Sequence, residues 1–226
     1  AAAPDAPALS GPDVAWTAAE LADAARRIAT GLATAGAGEG ARVAVLAGDA
    51  AATVALGHAV RLIGAVLVPL NRRAAPAELA FQLALVRPAI LVHDAERAAA
   101  ARGAIGGGPA PVLLDLAELV TGAPERAAVR GTVDLEAPAA ILFTSGTTGR
   151  PKGAVLTHGA LAASADAWAA ALEPRPTDRW LACLPLHHVA GLSMAVRAGR
   201  WGVPLEVDPR FDPARVAAPL GAGGSH

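Results

Sequence analysis

Tyrosine is absent from this chain, cysteine and lysine occur once each, and aromatics make up 3 % of its 226 residues. A single cysteine, Cys183, excludes an intramolecular disulfide framework. With so few aromatics the core has to come from Leu, Val, Ile and packed backbone. The apolar content is 54 %, but much of it is alanine, which adds little area per residue. Charge of neither sign dominates. A net charge of −1 gives no basic surface for nucleic acid and no attraction to an anionic membrane. Long hydrophobic runs are missing too. The longest, Ala65–Leu70 with Leu62 and Ile63 before it, falls far short of the roughly 20 residues a bilayer helix needs. Leu181–Val196 lacks Asp, Glu, Lys and Arg, but Pro185, His187 and His188 interrupt it. Residues 1–16 show no basic segment followed by an apolar run, so no signal peptide is expected. The expectation is a soluble, cytoplasmic protein with no membrane insertion and no nucleic-acid partner.

What is present reads as α/β. Thr17-Ala18-Ala19-Glu20 is a capping box opening a helix with Leu21, Ala25, Ile28 and Leu32 on one face, ended by Gly36, Gly38 and Gly40. A short apolar strand, 42–46, precedes a helix over about 50–63 and a strand at 65–68 closed by Pro69. Pro76 stands in the first turn of the next helix, which carries Leu79, Leu83 and Val86. Strands at 89–92 and 112–114 follow, separated by a short helix and the loop Gly106–Pro109. Strands alternating with helices predict largely parallel sheets flanked by helices. Residues 121–137 read as a connection, dividing the chain into two α/β subdomains, 1–125 and 126–226. The second begins with a strand at 139–143 and continues with a strand at 154–156, a helix over 159–172, a strand at 180–184, a helix near 189–200, a strand at 203–207 and a helix starting at Phe211.

The chemistry concentrates between Phe143 and Ala154, where Thr144-Ser145-Gly146-Thr147-Thr148-Gly149-Arg150-Pro151-Lys152-Gly153 holds three glycines, four hydroxyls and the chain's only lysine. Glycines allow tight turns and close approach to a ligand. Successive backbone N–H groups form an anion-binding nest, hydroxyls add donors and Lys152 adds charge. Arginine is common in this chain, so a lysine here suits a crowded phosphate site that a wide guanidinium would not fit. The plain alternative is a hydroxyl-rich surface loop carrying one surviving lysine. Lys152 is followed by Gly153 and a strand, so this is not the P-loop in which Gly-Lys-Ser/Thr opens a helix. Nor does a G-x-G-x-x-G spacing lead into a helix.

The ten residues resemble the signature loop of the adenylate-forming superfamily, which includes acyl-CoA synthetases, luciferase and peptide-synthetase adenylation domains. The resemblance implies the large N-terminal domain of that fold. It also implies a two-step reaction in which a carboxylate attacks MgATP to give acyl-AMP and pyrophosphate, and CoA then displaces AMP. On this resemblance Thr144, Ser145, Gly146, Thr147, Thr148, Gly149 and Lys152 bind nucleotide, and the glycines permit loop closure. Mg²⁺ is expected only with ATP, since no His, Cys, Asp or Glu cluster has metal-ligand spacing and His58 and His93 lack partners. The partners implied are a small-molecule carboxylic acid, ATP and CoA, with a homodimer left open.

A second constellation, Leu184-Pro185-Leu186-His187-His188-Val189-Ala190-Gly191-Leu192, resembles the acyl-CoA synthetase segment whose histidine lines the pocket near the acyl carboxylate. His188 takes that catalytic and substrate-binding position, the alternative being a packed helix-start histidine. His187 stands where the family often has an aromatic. Arg197, about two turns into the following helix, is the one cation in an apolar stretch. A desolvated arginine is costly unless paired, and a second substrate carboxylate is a natural partner. The alternative is that Arg197 points to solvent. The run Leu184–Ala198 and Trp180 resemble the o-succinylbenzoate–CoA ligases of menaquinone synthesis; Trp168 and Trp201 are expected in the core. Other acyl-CoA synthetases (malonyl, aryl or fatty-acyl) and a truncated nucleotide-binding module are the competing readings. The family's ribose-binding aspartate, hinge and small C-terminal domain with its catalytic lysine find no match here. The expectation is therefore an N-terminal fragment that does not complete adenylation alone.

Overall fold

Thr17 caps the first helix as its sequence predicts. Its hydroxyl accepts the Glu20 N–H at 3.2 Å, and the Glu20 carboxylate accepts the Thr17 N–H at 2.8 Å. The helix, α1 (Ala18–Thr34), lays Ala24, Ala25, Ile28, Ala29 and Leu32 inward. The computed structural model describes residues 3–12, 14–48, 50–123, 132–144, 151–175, 177–208, 213, 214, 216 and 217. After α1 the chain runs through β3 (Arg42–Leu46), α2 (Ala50–Leu62), β4 (Val66–Pro69), α3 (Pro76–Val86), β5 (Ile90–His93) and α4 (Ala98–Gly103). It continues through β6 (Val112–Asp115), α5 (Leu116–Thr121), β7 (Pro138–Thr144), β8 (Lys152–Thr157), α6 (His158–Leu172), β9 (Trp180–Ala182), α7 (Val189–Trp201) and β10 (Leu205–Val207). Two short strands, β1 (Pro7–Gly11) and β2 (Val14–Thr17), precede α1.

Six strands form one sheet in the order β6-β5-β3-β4-β7-β8, parallel except for the β7–β8 pair. Its central strands are buried on both faces, which is why they read as continuous apolar runs without alternation. Val43 and Val45 face α1, α2 and α5; Ala44 and Leu46 face α3 and α4. The second sheet, β2-β1-β10-β9, packs Leu9, Ala182, Leu205 and Val207 against Ala51 and Val54 of α2 and Ala195 and Ala198 of α7. The alanine-rich α2 thus lies between two sheets, where small side chains permit close approach on either side.

The structure departs from the sequence reading in three places. β7 and β8 are antiparallel and join the first sheet, so the sheets do not divide between residues 125 and 126. The second sheet joins the chain's N-terminal strands to β9 and β10 through the parallel register Leu9↔Leu205, a pairing too distant in sequence for local pattern to reveal. Between the strand predicted at 112–114 and the connection predicted at 121–137, where no element was predicted, stands α5, capped by the Asp115 carboxylate, which accepts the Ala117 N–H at 2.8 Å. Of the last predicted helix, Pro213, Ala214, Val216 and Ala217 are helical.

Candidate functional site

The phosphate-loop candidates divide between described and undescribed residues. Thr144 ends β7 and Lys152 begins β8. The two are partners in the antiparallel register, and the Thr144 hydroxyl donates to the Lys152 carbonyl at 3.4 Å. The two ends of the loop are therefore fixed side by side by the hairpin ladder. Ser145, Gly146, Thr147, Thr148 and Gly149 lie outside the described residues.

His188 is the N-cap of α7. Its N–H donates to the Pro185 carbonyl at 3.0 Å, and its own carbonyl accepts from Leu192 at 3.1 Å. The turn that carries it folds back onto the helix so closely that a Cβ on Gly191 would stand 2.4 Å from the Pro185 oxygen. Glycine at 191 is thus a condition of the histidine's position. The His187 and His188 rings lie 4.3 Å apart at 45°. Burial, followed by the nearby His188 and Arg72, pushes the His187 pKa down to about 4, so that imidazole is neutral at neutral pH.

One cleft brings the two motifs together. Thr144, Pro151, His187 and His188 line it with Asn71, Phe81 and Gln82. Asn71, between β4 and α3, and Gln82, on α3, belong to no sequence motif. Gln82 is 2 % exposed; its Nε2–H donates to Glu78 at 3.0 Å, while its Oε1 is buried without a partner. A hydroxyl or amine donor reaching that wall would remove an unsatisfied acceptor.

Arg197 is not among the residues lining this cleft. It stands seven residues beyond Ala190, which does line the cleft, and so about two turns further along the same face of α7. Its guanidinium carbon lies 4.6 Å from the Trp168 ring centroid and 5.8 Å from that of Trp180. Trp168, expected in the core, is 45 % exposed, and Trp201 is half-buried. Cys183 is half-buried just beyond β9.

A second polar group sits at the carboxyl ends of β3, β5 and β6. The Asp94 carboxylate accepts the Gly48 N–H at 2.6 Å and pairs with Arg97, and His93 Nδ1 is 3.9 Å from Asp115. Among the described residues no group of three His, Cys, Asp or Glu side chains could hold a metal ion, and no helix is long and apolar enough to cross a membrane.

Comparison with known proteins agrees with this layout. The family model "AMP-binding enzyme" matches residues 1–219. A 2-succinylbenzoate–CoA ligase of Bacillus cereus is 36 % identical over 173 residues, covering 76 % of this chain and 34 % of the relative. The o-succinylbenzoate CoA synthetase of Bacillus subtilis in complex with ATP and magnesium ion is similar at a TM-score of 0.86 and 30 % identity, over 97 % of this chain and 58 % of that one. The same enzyme with the acyl-adenylate intermediate is similar at 0.87 and 31 % identity, over 97 % and 56 %. The chain spans about a third of the length of the curated relatives it matches.

Proposed function

We propose the following for this chain, which belongs to the AMP-binding enzyme family: it supplies the phosphate-gripping and acyl-facing parts of an AMP-forming acid–CoA ligase whose acid is o-succinylbenzoate. The observation that carries the reading is that Thr144, from the phosphate loop, and His188, from the acyl-side motif, line one cleft. The similarity to structures holding ATP with magnesium and an o-succinylbenzoyl adenylate supports it.

In this reading the acid's carboxylate oxygen attacks the α-phosphorus of ATP, the bond from that phosphorus to its bridging oxygen breaks, and pyrophosphate leaves. The thiol of CoA then attacks the acyl carbon, and AMP leaves. Lys152 and the Thr144 hydroxyl, fixed at the loop's base, meet the charge that develops on the departing pyrophosphate. Ser145, Gly146, Thr147, Thr148 and Gly149 complete the grip. Donors held in place before the reaction stabilise such charge without reorganising. Magnesium bound with the nucleotide would neutralise phosphate charge, and among the described residues no group of three His, Cys, Asp or Glu side chains would hold it. His188 lies against the acid's reacting carboxylate. Arg197, with no carboxylate partner among the described residues, takes the acid's second, aryl carboxylate as a bidentate pair. Substrates of this kind agree with a cytoplasmic setting.

ATP–pyrophosphate exchange by the full-length protein tests the reading. Exchange is expected with o-succinylbenzoate and not with malonate or benzoate; exchange supported better by either of those would overturn the choice of acid. Arg197→Ala should raise the KM for o-succinylbenzoate about tenfold or more, the order of a lost charge-assisted pair, and leave the KM for ATP unchanged. An unchanged acid KM removes Arg197 from the site.

A further inference from the structure

Arg197 and Arg200 stand one turn apart on α7 and meet α6 differently. Arg200 is neutralised. Its Nε and Nη2 donate to the two carboxylate oxygens of Asp166 at 2.7 and 2.8 Å. For Arg197, α6 offers an indole instead. The guanidinium lies over Trp168 and within 5.8 Å of Trp180, and Trp201 packs edge-on against Trp180 at 4.9 Å and 77°. Three of the chain's four tryptophans therefore gather around a cation that has no ion-pair partner among the described residues. Arg197 Nε and Trp201 Nε1 are both buried without an acceptor.

A guanidinium partly shielded from water, with no counter-ion among the described residues, carries a desolvation cost, and attraction to indole faces offsets only part of it. What remains is a fork whose terminal nitrogens have no partner among the described residues, beside a tryptophan that is 45 % exposed. A carboxylate satisfies the fork, and a flat apolar group covers the indole.

We infer that Trp168 is a positioning residue: it holds the Arg197 fork open and, with Trp180 and Trp201, makes this patch select a carboxylate borne on an aromatic ring over one borne on an aliphatic chain. The selectivity rests on the role proposed above for Arg197. Cation–π attraction holds the guanidinium plane against the indole, so the fork's direction is fixed before a ligand arrives. Replacing the indole by an aliphatic side chain releases the fork to solvent and removes the ring surface at once. A phenylalanine retains both in smaller measure.

Calorimetric titration of the full-length protein with o-succinylbenzoate and with adipate, for wild type, Trp168→Leu and Trp168→Phe, tests this. Trp168→Leu should weaken o-succinylbenzoate about tenfold and Trp168→Phe less than about threefold, with adipate, which offers a carboxylate but no ring, weakened less than o-succinylbenzoate in each variant. The KM for the acid should follow these affinities, and the KM for ATP should not move. Affinity for o-succinylbenzoate within twofold of wild type in Trp168→Leu would overturn the inference. So would equal losses for both acids, because Trp168 would then be only structural. If wild type does not bind o-succinylbenzoate yet exchanges pyrophosphate with another acid, the patch fails and the ligase reading survives. If binding depends on Trp168 but no acid supports exchange, the patch stands and the ligase reading fails.

Discussion

The layer around β3, β4 and β5 and the flank made by α6 and α7 are built from similar alanine-rich material and end up in opposite conditions. On α2, every residue from Ala51 to Leu56 is buried, as are Ala59 and Val60, and the side chains of Ile90, Leu91 and Val92 are fully enclosed. On α6, which is more apolar than α2 in composition, Ala165 alone is buried, and Trp168 and Leu172 are 45 % and 51 % exposed. Apolar content therefore does not decide burial; a partner on each side does. α2 has two sheets to fill against, whereas α6 meets β8 and α7 along one side. The residues assigned to chemistry gather beside the exposed flank: Thr144, Lys152, His187, His188 and Arg197. The packed core and the groups assigned to chemistry occupy different parts of the fold, an arrangement in which a rigid scaffold presents groups that are free to meet ligands.

The largest effect expected from breaking that separation is at Lys152. It is exposed, so Lys152→Ala should leave the urea midpoint unchanged. In the full-length protein it should lower the adenylation rate by about 10²- to 10³-fold, the cost of one lost donor to developing charge. A rate within threefold of wild type would remove the lysine from the site. The mirror experiment lies in the other layer. Leu56 is fully buried, so Leu56→Ala should cost about 3 kcal/mol of stability by urea denaturation, while Leu172→Ala on the exposed face of α6 should cost no more than about 0.5 kcal/mol. Comparable losses at the two leucines would mean that α6 is covered in solution.

How much of this was legible in the sequence follows the same division. The capping box at Thr17, the strands β3 and β5, and the helices α2, α3 and α7 could be read because propensity, capping and apolar pattern agree locally. The strands β1 and β2 could not. Pro7–Gly11 is short and bounded by proline and glycine, and it becomes a strand through pairing with β10, nearly 200 residues away. The hairpin direction of β7 and β8 escaped because alternation of strand and helix elsewhere favoured a parallel sheet. Thr144, Lys152 and His188 stood in ordered motifs with a chemical rationale and were accessible. Asn71 and Gln82 belong to no motif and reach the cleft only through the fold. Arg197 was noticed as a lone cation, but its surroundings were not. The indole beneath it comes from another helix.

A smaller effect than at Leu56 is expected where α2 meets α7. His58 of α2 packs against α7 so tightly that a Cβ on Gly199 would lie 2.9 Å from its Cε1. Burial, with Arg61 adding to it, pushes the His58 pKa down from 6.5 to about 4. The unfolded chain therefore binds more protons than the folded one between those values, and stability falls as pH drops from about 6.5 towards 4. Nothing is lost above that window, and the loss is complete below it. At pH 5 the penalty from His58 is about 2 kcal/mol relative to pH 7. His187, with a pKa near 4 and a more open setting, adds a further decline of the same sign. His58→Gln removes the titration and keeps most of the volume. Urea midpoints measured from pH 7 to pH 4 should therefore fall less steeply in this variant than in wild type, with a residual slope from His187. Parallel slopes would show that the helix joint accepts a proton without cost, and that α7 is free to move away from α2 when His58 becomes charged.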